Sequence, residues 1–245
     1  MSLSLADVTV RGRLEGISLG FDRNMVTAIC GPNGAGKSTL LGCLAGLMKP
    51  DSGDVLLGDA PLAKMDSLER GRWMGYLPQA PEVAWDVAVE TLVSLGRLPW
   101  VASSASEAQA AIDAAIRTMD LEALRHRPVS QLSGGERARA LMARVLATKP
   151  GWLLADEPLA NLDLGHAAMT MRKMREQARA GCGVVLVLHD LGSAMNCADR
   201  VVVLQDGRVA ADGHPDDALA SDVIREVWGV RARWLGEQGA RALAV

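Results

Sequence analysis

The chain has 245 residues, of which 49% are apolar and 22% are charged, and its formal net charge is −3. This composition excludes a disordered or low-complexity chain. A mildly acidic chain also lacks the basic stripe that marks nucleic-acid binding, so we expect no nucleic-acid partner. No apolar run approaches the ~20 residues of a membrane span, and the first residues do not resemble a signal peptide.

The four cysteines are Cys30, Cys43, Cys182 and Cys197. They show neither CxxC spacing nor histidine partners, which argues against zinc ligation and against a disulfide framework. We expect them to be reduced and mostly buried small apolar residues.

The first 50 residues predict two strands, a third strand, a loop and a helix. Residues 3–19 alternate apolar and polar positions and break at glycines, which is typical of antiparallel, half-exposed strands. Residues 25–30 form a compact apolar run, as in a buried strand. After a glycine-rich loop, leucines recur at helical spacing from Leu40 to Leu47, and Lys49-Pro50 ends the pattern.

The rest of the chain predicts an α/β core with a helical insertion. From about residue 81 to 150 the patterns are helical, at 107–119 and 136–148, with no convincing strand. Apolar runs typical of buried parallel strands stand at 151–155, 184–188 and 201–204, and helical stretches at 165–179 and 191–198. We therefore expect one domain: a mostly parallel sheet and an N-terminal antiparallel β-subdomain from 1–80 and 151–245, with a helical subdomain at about 81–150.

Residues 31–39 match the pattern GxxxxGK[ST] between the predicted strand and helix. Glycines allow backbone N–H groups to surround a phosphate, and the helix start adds its positive dipole end. The Lys37 ammonium suits β/γ-phosphate charge, and the Ser38 hydroxyl suits Mg²⁺. The alternative is a glycine-rich surface turn. The candidate nucleotide-binding residues are Gly31, Pro32, Asn33, Gly34, Ala35, Gly36, Lys37, Ser38 and Thr39.

Asp156 and Glu157 close an apolar strand, at the carboxyl end where α/β sheets bind ligands. An acid at the first position can hold Mg²⁺ and one at the second can polarise an attacking water. The alternative is a solvated turn before Pro158. With a phosphate loop upstream, we favour the catalytic interpretation.

His189 and Gln79 each follow a strand-like run. A lone histidine is commonly structural, but at the same sheet edge as Glu157 it could reach a γ-phosphate oxygen or the water. An amide at position 79 could bridge metal, water and a moving loop.

Ser133 precedes Gly134, Gly135 and a long helical pattern, so it marks a second helix N-terminus suited to anions. Ser133 and Glu136 also have the spacing of a capping box. Both interpretations can hold together, because a cap satisfies its own helix while the glycines leave N–H groups open.

The motifs in this order resemble the ATP-binding-cassette (ABC) ATPase family over essentially the whole chain. The set comprises residues 31–39, Gln79, Leu132-Ser-Gly-Gly-Glu136, Asp156-Glu157, Asn161-Leu-Asp163 and His189. The resemblance implies a P-loop ATPase fold and a head-to-tail homodimer with two ATP molecules at its interface. Each ATP would lie between one phosphate loop and the partner's signature residues, Ser133, Gly134, Gly135 and Glu136.

The resemblance also implies individual roles. Glu157 would be the general base, His189 the γ-phosphate switch, and Asp163 the contact that couples the two sites. Gln79 would link the nucleotide to the helical subdomain. The Mg²⁺ ligands would be Ser38, Gln79 and Asp156.

Three positions depart from the family pattern. Glu136 stands where glutamine is commoner, and Leu159-Ala-Asn-Leu is a modest variant. The aromatic residue that normally stacks on adenine is not evident, since Arg11, Gly12 and Arg13 stand near the expected place. Guanidinium stacking on the base and solvated arginines both remain open.

Two stretches resemble importers of iron–siderophore, haem and cobalamin complexes: residues 87–100, and 227–230 followed by Arg233-Trp234. Trp85, Leu98 and Trp100 beside Gln79 could receive a cytoplasmic helix of a permease; ordinary core packing is the alternative.

We therefore expect the ATPase subunit of an ABC importer for a metal chelate, peripheral on the cytoplasmic face of the membrane. Its partners would be integral-membrane permease subunits and a periplasmic or extracellular substrate-binding protein. The alternatives are a soluble, non-transport cassette ATPase acting as a conformational switch, and an exporter subunit.

Overall fold

The computed structural model describes residues 1–79, 86–160 and 162–245. The strands are β1 (Leu3–Val10), β2 (Leu14–Phe21), β3 (Val26–Cys30), β4 (Ser52–Leu57), β5 (Ala60–Pro61), β6 (Met74–Leu77), β7 (Trp152–Asp156), β8 (Gly183–Val187), β9 (Arg200–Gln205), β10 (Arg208–Gly213), β11 (Arg233–Leu235) and β12 (Ala242–Ala244). The helices are α1 (Lys37–Leu44), α2 (Ser67–Trp73), α3 (Val89–Ser94), α4 (Ala105–Thr118), α5 (Gly134–Ala147), α6 (Leu164–Arg179), α7 (Leu191–Cys197), α8 (Pro215–Ala218) and α9 (Ser221–Trp228).

The central sheet has six strands in the order β10-β9-β3-β8-β7-β6. The five strands from β9 to β6 are parallel, and β10 pairs antiparallel with β9. Every residue of β3, β7 and β8 is buried. Burial on both faces explains why these strands are continuous apolar runs, and the predicted mostly parallel sheet is confirmed.

The central strands separate two apolar cores. Ile29 and Val187 face a core shared with α1 and the N-terminal sheet. Ala28 and Leu186 face the other core, which contains α5 and α6. Because side chains alternate along a strand, each central strand contributes to both cores.

The N-terminal sheet has the order β2-β1-β4-β5 and is antiparallel throughout, as the alternating pattern predicts. Between residues 86 and 150 the described chain is helical, with a single isolated bridge between Ala88 and Pro128. The boundaries of the helical subdomain at about 81 and 150 stay a prediction.

One local expectation was wrong. Helix α1 ends at Leu44, because Gly46 adopts a left-handed conformation (φ 66°) that breaks the helix. Leu47 therefore lies beyond the helix and is 66% exposed. The leucine spacing alone cannot reveal this early end.

Of the two interpretations of Trp100, a permease contact and packing within the protein, the structure favours packing, because the side chain is half-buried. The guanidinium groups of Arg72 and Arg97 both lie over its ring, 5.3 and 5.1 Å from the ring centroid. Its indole N–H donates to the Thr148 carbonyl at 2.9 Å. Leu98 is 63% exposed, and Trp85 lies outside the described residues.

The four cysteines are free thiols. Cys30, Cys43 and Cys182 are buried and Cys197 is half-buried, as expected. Burial raises the pKa of the Cys30 thiol to about 12, so this group stays protonated at neutral pH. None of the helices in the described ranges has the length and apolar character needed to cross a membrane.

Candidate nucleotide-binding and catalytic site

Four predicted site segments follow neighbouring strands at one edge of the central sheet. The phosphate loop follows β3, His189 follows β8, Glu157 follows β7 and Gln79 follows β6. All four strands are parallel, so their carboxyl ends share this edge. Ligands of open α/β sheets bind at such an edge.

The phosphate loop packs so closely that two of its glycines admit no side chain. A Cβ at Gly31 would lie 2.2 Å from the Leu204 carbonyl oxygen, and one at Gly36 would lie 2.6 Å from that of Arg13. Gly36 also has a left-handed φ of 98° and forms the N-cap of α1. The loop backbone is therefore held between β9 and the β1–β2 turn, with the start of α1 facing the sheet edge.

Lys37 is buried, and its ammonium holds the loop from inside. Nζ donates to the carbonyl oxygens of Gly31 and Pro32, both at 2.8 Å. Burial lowers the pKa of Lys37, while Glu157 and Asp156 oppose this change. An ammonium has three N–H donors, so one remains available to a ligand.

Asp156 is 4% exposed, and its Oδ1 atom is buried without a hydrogen-bond partner among the described residues. Burial raises the pKa of this carboxyl, while the nearby Ser38 hydroxyl lowers it. Ser38 itself is exposed at the start of α1. A buried, unpartnered carboxylate oxygen beside a hydroxyl is a donor set suited to a hard cation.

Glu157 and His189 are hydrogen-bonded to each other through Oε1 and Nε2. Glu157 has a left-handed backbone (φ 49°), and its N–H donates to the Val187 carbonyl at 3.2 Å. A left-handed conformation is strained for a residue other than glycine, and such residues concentrate at functional sites. The Glu157 side chain is 14% exposed and that of His189 is 46% exposed.

Gln79 is exposed two residues beyond β6. The strand-like run before it is confirmed as a parallel partner of β7. Residues 80–85, which continue from Gln79, lie outside the described ranges.

Ser133 is the N-cap of α5 and forms the capping box that its spacing predicts. The Ser133 Oγ accepts from the Glu136 N–H at 3.3 Å, and the Glu136 carboxylate accepts from the Ser133 N–H at 2.8 Å. The latter bond lowers the pKa of Glu136. Ser133 and Gly134 are exposed, and no hydrogen bond between described residues joins this segment to the phosphate loop.

Asp163 is the N-cap of α6 and accepts from the His166 N–H at 2.9 Å, which lowers the pKa of the Asp163 carboxyl. Sequence analysis overlooked His166, whose ring Nδ1 lies 2.8 Å from Asp163 Oδ2. Its place three residues after an N-cap aspartate is the signal that could have revealed it. Asn161, in the same motif, lies outside the described residues.

Arg11 and Arg13 are both exposed. The Arg11 N–H donates to Asp51 at 2.8 Å, and the Arg13 carbonyl packs against Gly36. The structure thus places the Arg13 backbone against the phosphate loop, and guanidinium stacking on the base and solvated arginines both stay predictions.

A sequence profile described as ABC transporter matches residues 14–160. The chain belongs to the ABC transporter family. It is 44% identical over 225 residues to a hemin import ATP-binding protein of Rhodococcus jostii, covering 91% of this chain and 77% of that protein.

Two solved structures have the same fold. CbiO1 of Clostridium perfringens, part of the cbiONQ transporter complex, superposes with a TM-score of 0.81 at 29% identity and covers 91% of this chain and 92% of its own. A dimeric ATP-binding cassette, MJ0796, bound to ADP and Pi, superposes with a TM-score of 0.75 at 26% identity, covering 87% and 98%. The predicted cassette fold is therefore confirmed.

These comparisons also confirm the prediction of an ATP-hydrolysing subunit of an ABC importer. ATP is the nucleotide of this family, and hydrolysis is coupled to transport. The alternatives of a non-transport switch and of an exporter subunit receive no support.

The buried carboxylate of Asp156 leads to a prediction about stability. Because burial raises its pKa, its ionisation disfavours the folded state as pH rises through that range. We expect Asp156→Asn to melt at an equal or higher temperature than the parent without nucleotide, with a difference that grows as pH rises. The magnesium-dependent part of the thermal shift with ATP should be lost.

Thermal unfolding with ATP, with and without Mg²⁺, measures both effects. Asp59→Asn, in an exposed turn, is the matched control and should behave like the parent. A lower melting temperature for nucleotide-free Asp156→Asn together with a full magnesium-dependent shift would contradict this interpretation.

Proposed function

We propose that this chain drives haem import by hydrolysing ATP at an interface between two copies of itself. The observation that carries the proposal is the convergence of the phosphate loop, Asp156, Glu157 and His189 at one sheet edge. The similarity to a hemin import ATP-binding protein supports the choice of haem within the metal-chelate class.

Binding of the triphosphate rests on the loop backbone and Lys37. The N–H groups at the start of α1 and the helix dipole attract the phosphates. Two Lys37 donors hold the loop, and the third would be available to the β/γ-phosphate oxygens. Keeping the ammonium partly desolvated strengthens this attraction, because the local dielectric constant is low.

Ser38 and Asp156 fit a magnesium ion. The unpartnered Asp156 Oδ1 and the exposed Ser38 hydroxyl offer hard oxygen donors at the phosphate loop. Gln79, at the next strand end, would complete the protein's oxygen donors through its amide carbonyl. Bound Mg²⁺ would supply charge neutralisation on the phosphate oxygens.

Glu157 is the proposed general base for the attacking water. Its hydrogen bond to His189 holds the carboxylate in place. The γ-phosphate offers His189 Nε2–H a stronger acceptor, so ATP binding would turn the ring to the phosphate and release Glu157 to accept a proton from water. The water then attacks phosphorus in line, and ADP leaves.

The residues that complete the nucleotide-binding site would come from another copy of the chain. Ser133 and Gly134 are exposed, and the two capping-box bonds use the N–H groups of Ser133 and Glu136, which leaves those of Gly134 and Gly135 outside the box. These donors suit the γ-phosphate of an ATP bound to a partner. The dimeric MJ0796 cassette, which has this fold, supports the arrangement.

The proposed base leads to a turnover prediction. We expect Glu157→Gln to bind ATP normally and to lower kcat by roughly 10²-fold or more, because an amide cannot accept the proton. With ATP this variant should accumulate as a dimer, since closure is no longer followed by cleavage. Steady-state ATPase assays and gel filtration with light scattering measure the two effects.

Glu122→Gln, on an exposed turn of the helical region, is the matched control and should keep parental turnover. Near-normal hydrolysis by Glu157→Gln would remove Glu157 from this role. A variant that stays monomeric with saturating ATP would argue against the shared site.

The proposed partners are an integral-membrane permease and a periplasmic or extracellular binding protein, with this chain peripheral on the cytoplasmic face. Leu98 and Val101 are exposed on the segment beyond α3, next to α2, whose Leu68 is also exposed. The anchored Trp100 holds this segment in place. An exposed apolar face of this kind suits a cytoplasmic helix of a permease.

The cargo is tested by reconstituting the chain with its co-purified permease and binding protein in liposomes. We expect haem-loaded binding protein to stimulate ATP hydrolysis and haem to accumulate inside, because only the cognate cargo couples the two processes. Ferric siderophores and cobalamin are the matched alternatives. Stimulation and uptake by one of these, with none by haem, would overturn the assignment.

A further inference from the structure

The segment of Ser133, which the proposed function assigns to the partner's ATP, touches the segment of Asp163, which the family resemblance assigns to the coupling of the two sites, within one chain. A Cβ atom at Gly135 would lie 2.6 Å from Cδ2, 2.7 Å from Cγ and 2.7 Å from Nε2 of His166. Nearly equal distances to three ring atoms mean that the face of the imidazole covers Gly135. A side chain at position 135 would displace the His166 ring.

Asp163 holds one edge of the His166 ring by a hydrogen bond. Nδ1 of His166 lies 2.8 Å from Asp163 Oδ2, and the His166 N–H donates to Asp163 Oδ1 at 2.9 Å. The imidazole is therefore held by a hydrogen bond along one edge and by van der Waals contact on its face. Its side chain is only 32% exposed.

These contacts connect two helix N-termini. Gly135 is in the first turn of α5, which Ser133 caps, and Asp163 caps α6. Without His166, the contact shown here between these two turns would be lost. Their relative position would then depend on more distant packing.

We propose that His166 is a positioning residue that couples the Ser133–Gly135 turn to Asp163, so that both reach the partner chain in one fixed arrangement. The inference rests on the proposed function, because it concerns residues that would face the partner's ATP. Small displacements of such groups reduce catalysis strongly. ATP binding to a single chain does not require the coupling, since His166 is not among the phosphate-loop residues.

The test compares His166→Ala, His166→Asn and His166→Leu by ATPase kinetics and thermal unfolding. Asparagine keeps a planar group with a donor for Asp163, whereas leucine fills the volume without a donor. We expect His166→Ala and His166→Leu to lower kcat roughly tenfold or more, with KM for ATP and monomer ATP affinity nearly unchanged. His166→Asn should recover most of the loss.

His126→Ala, which removes an imidazole whose side chain is 82% exposed, is the matched control and should keep parental kinetics. Parental kcat in His166→Ala, or recovery by leucine equal to that by asparagine, would overturn the coupling. A fall in kcat that only tracks a fall in melting temperature across all three variants would also overturn it, because it would indicate a purely structural role.

A second comparison separates this inference from the shared site. Glu157→Gln is combined with His166→Ala, and ATP-dependent dimerisation is measured for the single and double variants. Weaker dimerisation of the double variant supports the coupling. Equal dimerisation overturns the coupling alone, whereas a Glu157→Gln protein that never dimerises overturns the proposed function and the coupling that rests on it.

Discussion

The site depends on the register of a parallel sheet that is buried on both faces. Ile29 of β3 pairs with Val187 of β8, and Val187 pairs with Asp156 of β7. A slip of one residue would exchange every side chain between the two cores, so the register is strongly specified. The phosphate loop, the acidic pair and His189 therefore follow paired positions at the carboxyl ends of β3, β7 and β8, on the same edge of the sheet.

Most charged side chains at this edge of the sheet have partners within the chain. Lys37 bonds to loop carbonyls, Glu157 bonds to His189, and Glu136 bonds to Ser133. Asp156 Oδ1 is the exception at this edge, a buried oxygen without a partner among the described residues. In the proposed mechanism, these hydrogen bonds already hold the side chains close to the positions in which they would bind ATP and Mg²⁺. This preorganisation lowers the cost of assembling the site.

The sequence reveals those parts of the fold that depend on local patterns. Buried strands, the glycine-rich loop and the capping boxes have signals within a few residues, and the central strands were predicted within one or two residues. The left-handed backbone of Glu157 and the position of Trp100 depend instead on distant partners, Val187 in one case and Arg72 and Thr148 in the other. No local sequence pattern predicts the Glu157 conformation or the Trp100 position.

Dependence on residues that are distant in the sequence also explains which features could not be predicted. The contact between His166 and Gly135 joins residues 31 positions apart in two different helices, and a lone histidine has no periodic signature. The short helix α2 and the β11–β12 hairpin are held by tertiary contacts such as Arg72 to Pro99 and Trp234 to Leu219. Their propensities alone do not predict them.

The central claim is that a complete site needs residues from two chains, and mixing two inactive variants tests it most directly. Lys37→Ala lacks the phosphate-loop ammonium, and Ser133→Ala lacks the signature hydroxyl. A mixed dimer of the two holds one intact site, so an equal mixture should recover about a quarter of the parental ATPase activity per chain. A mixture as inactive as its components, with mixed dimers shown to form, would contradict the shared site.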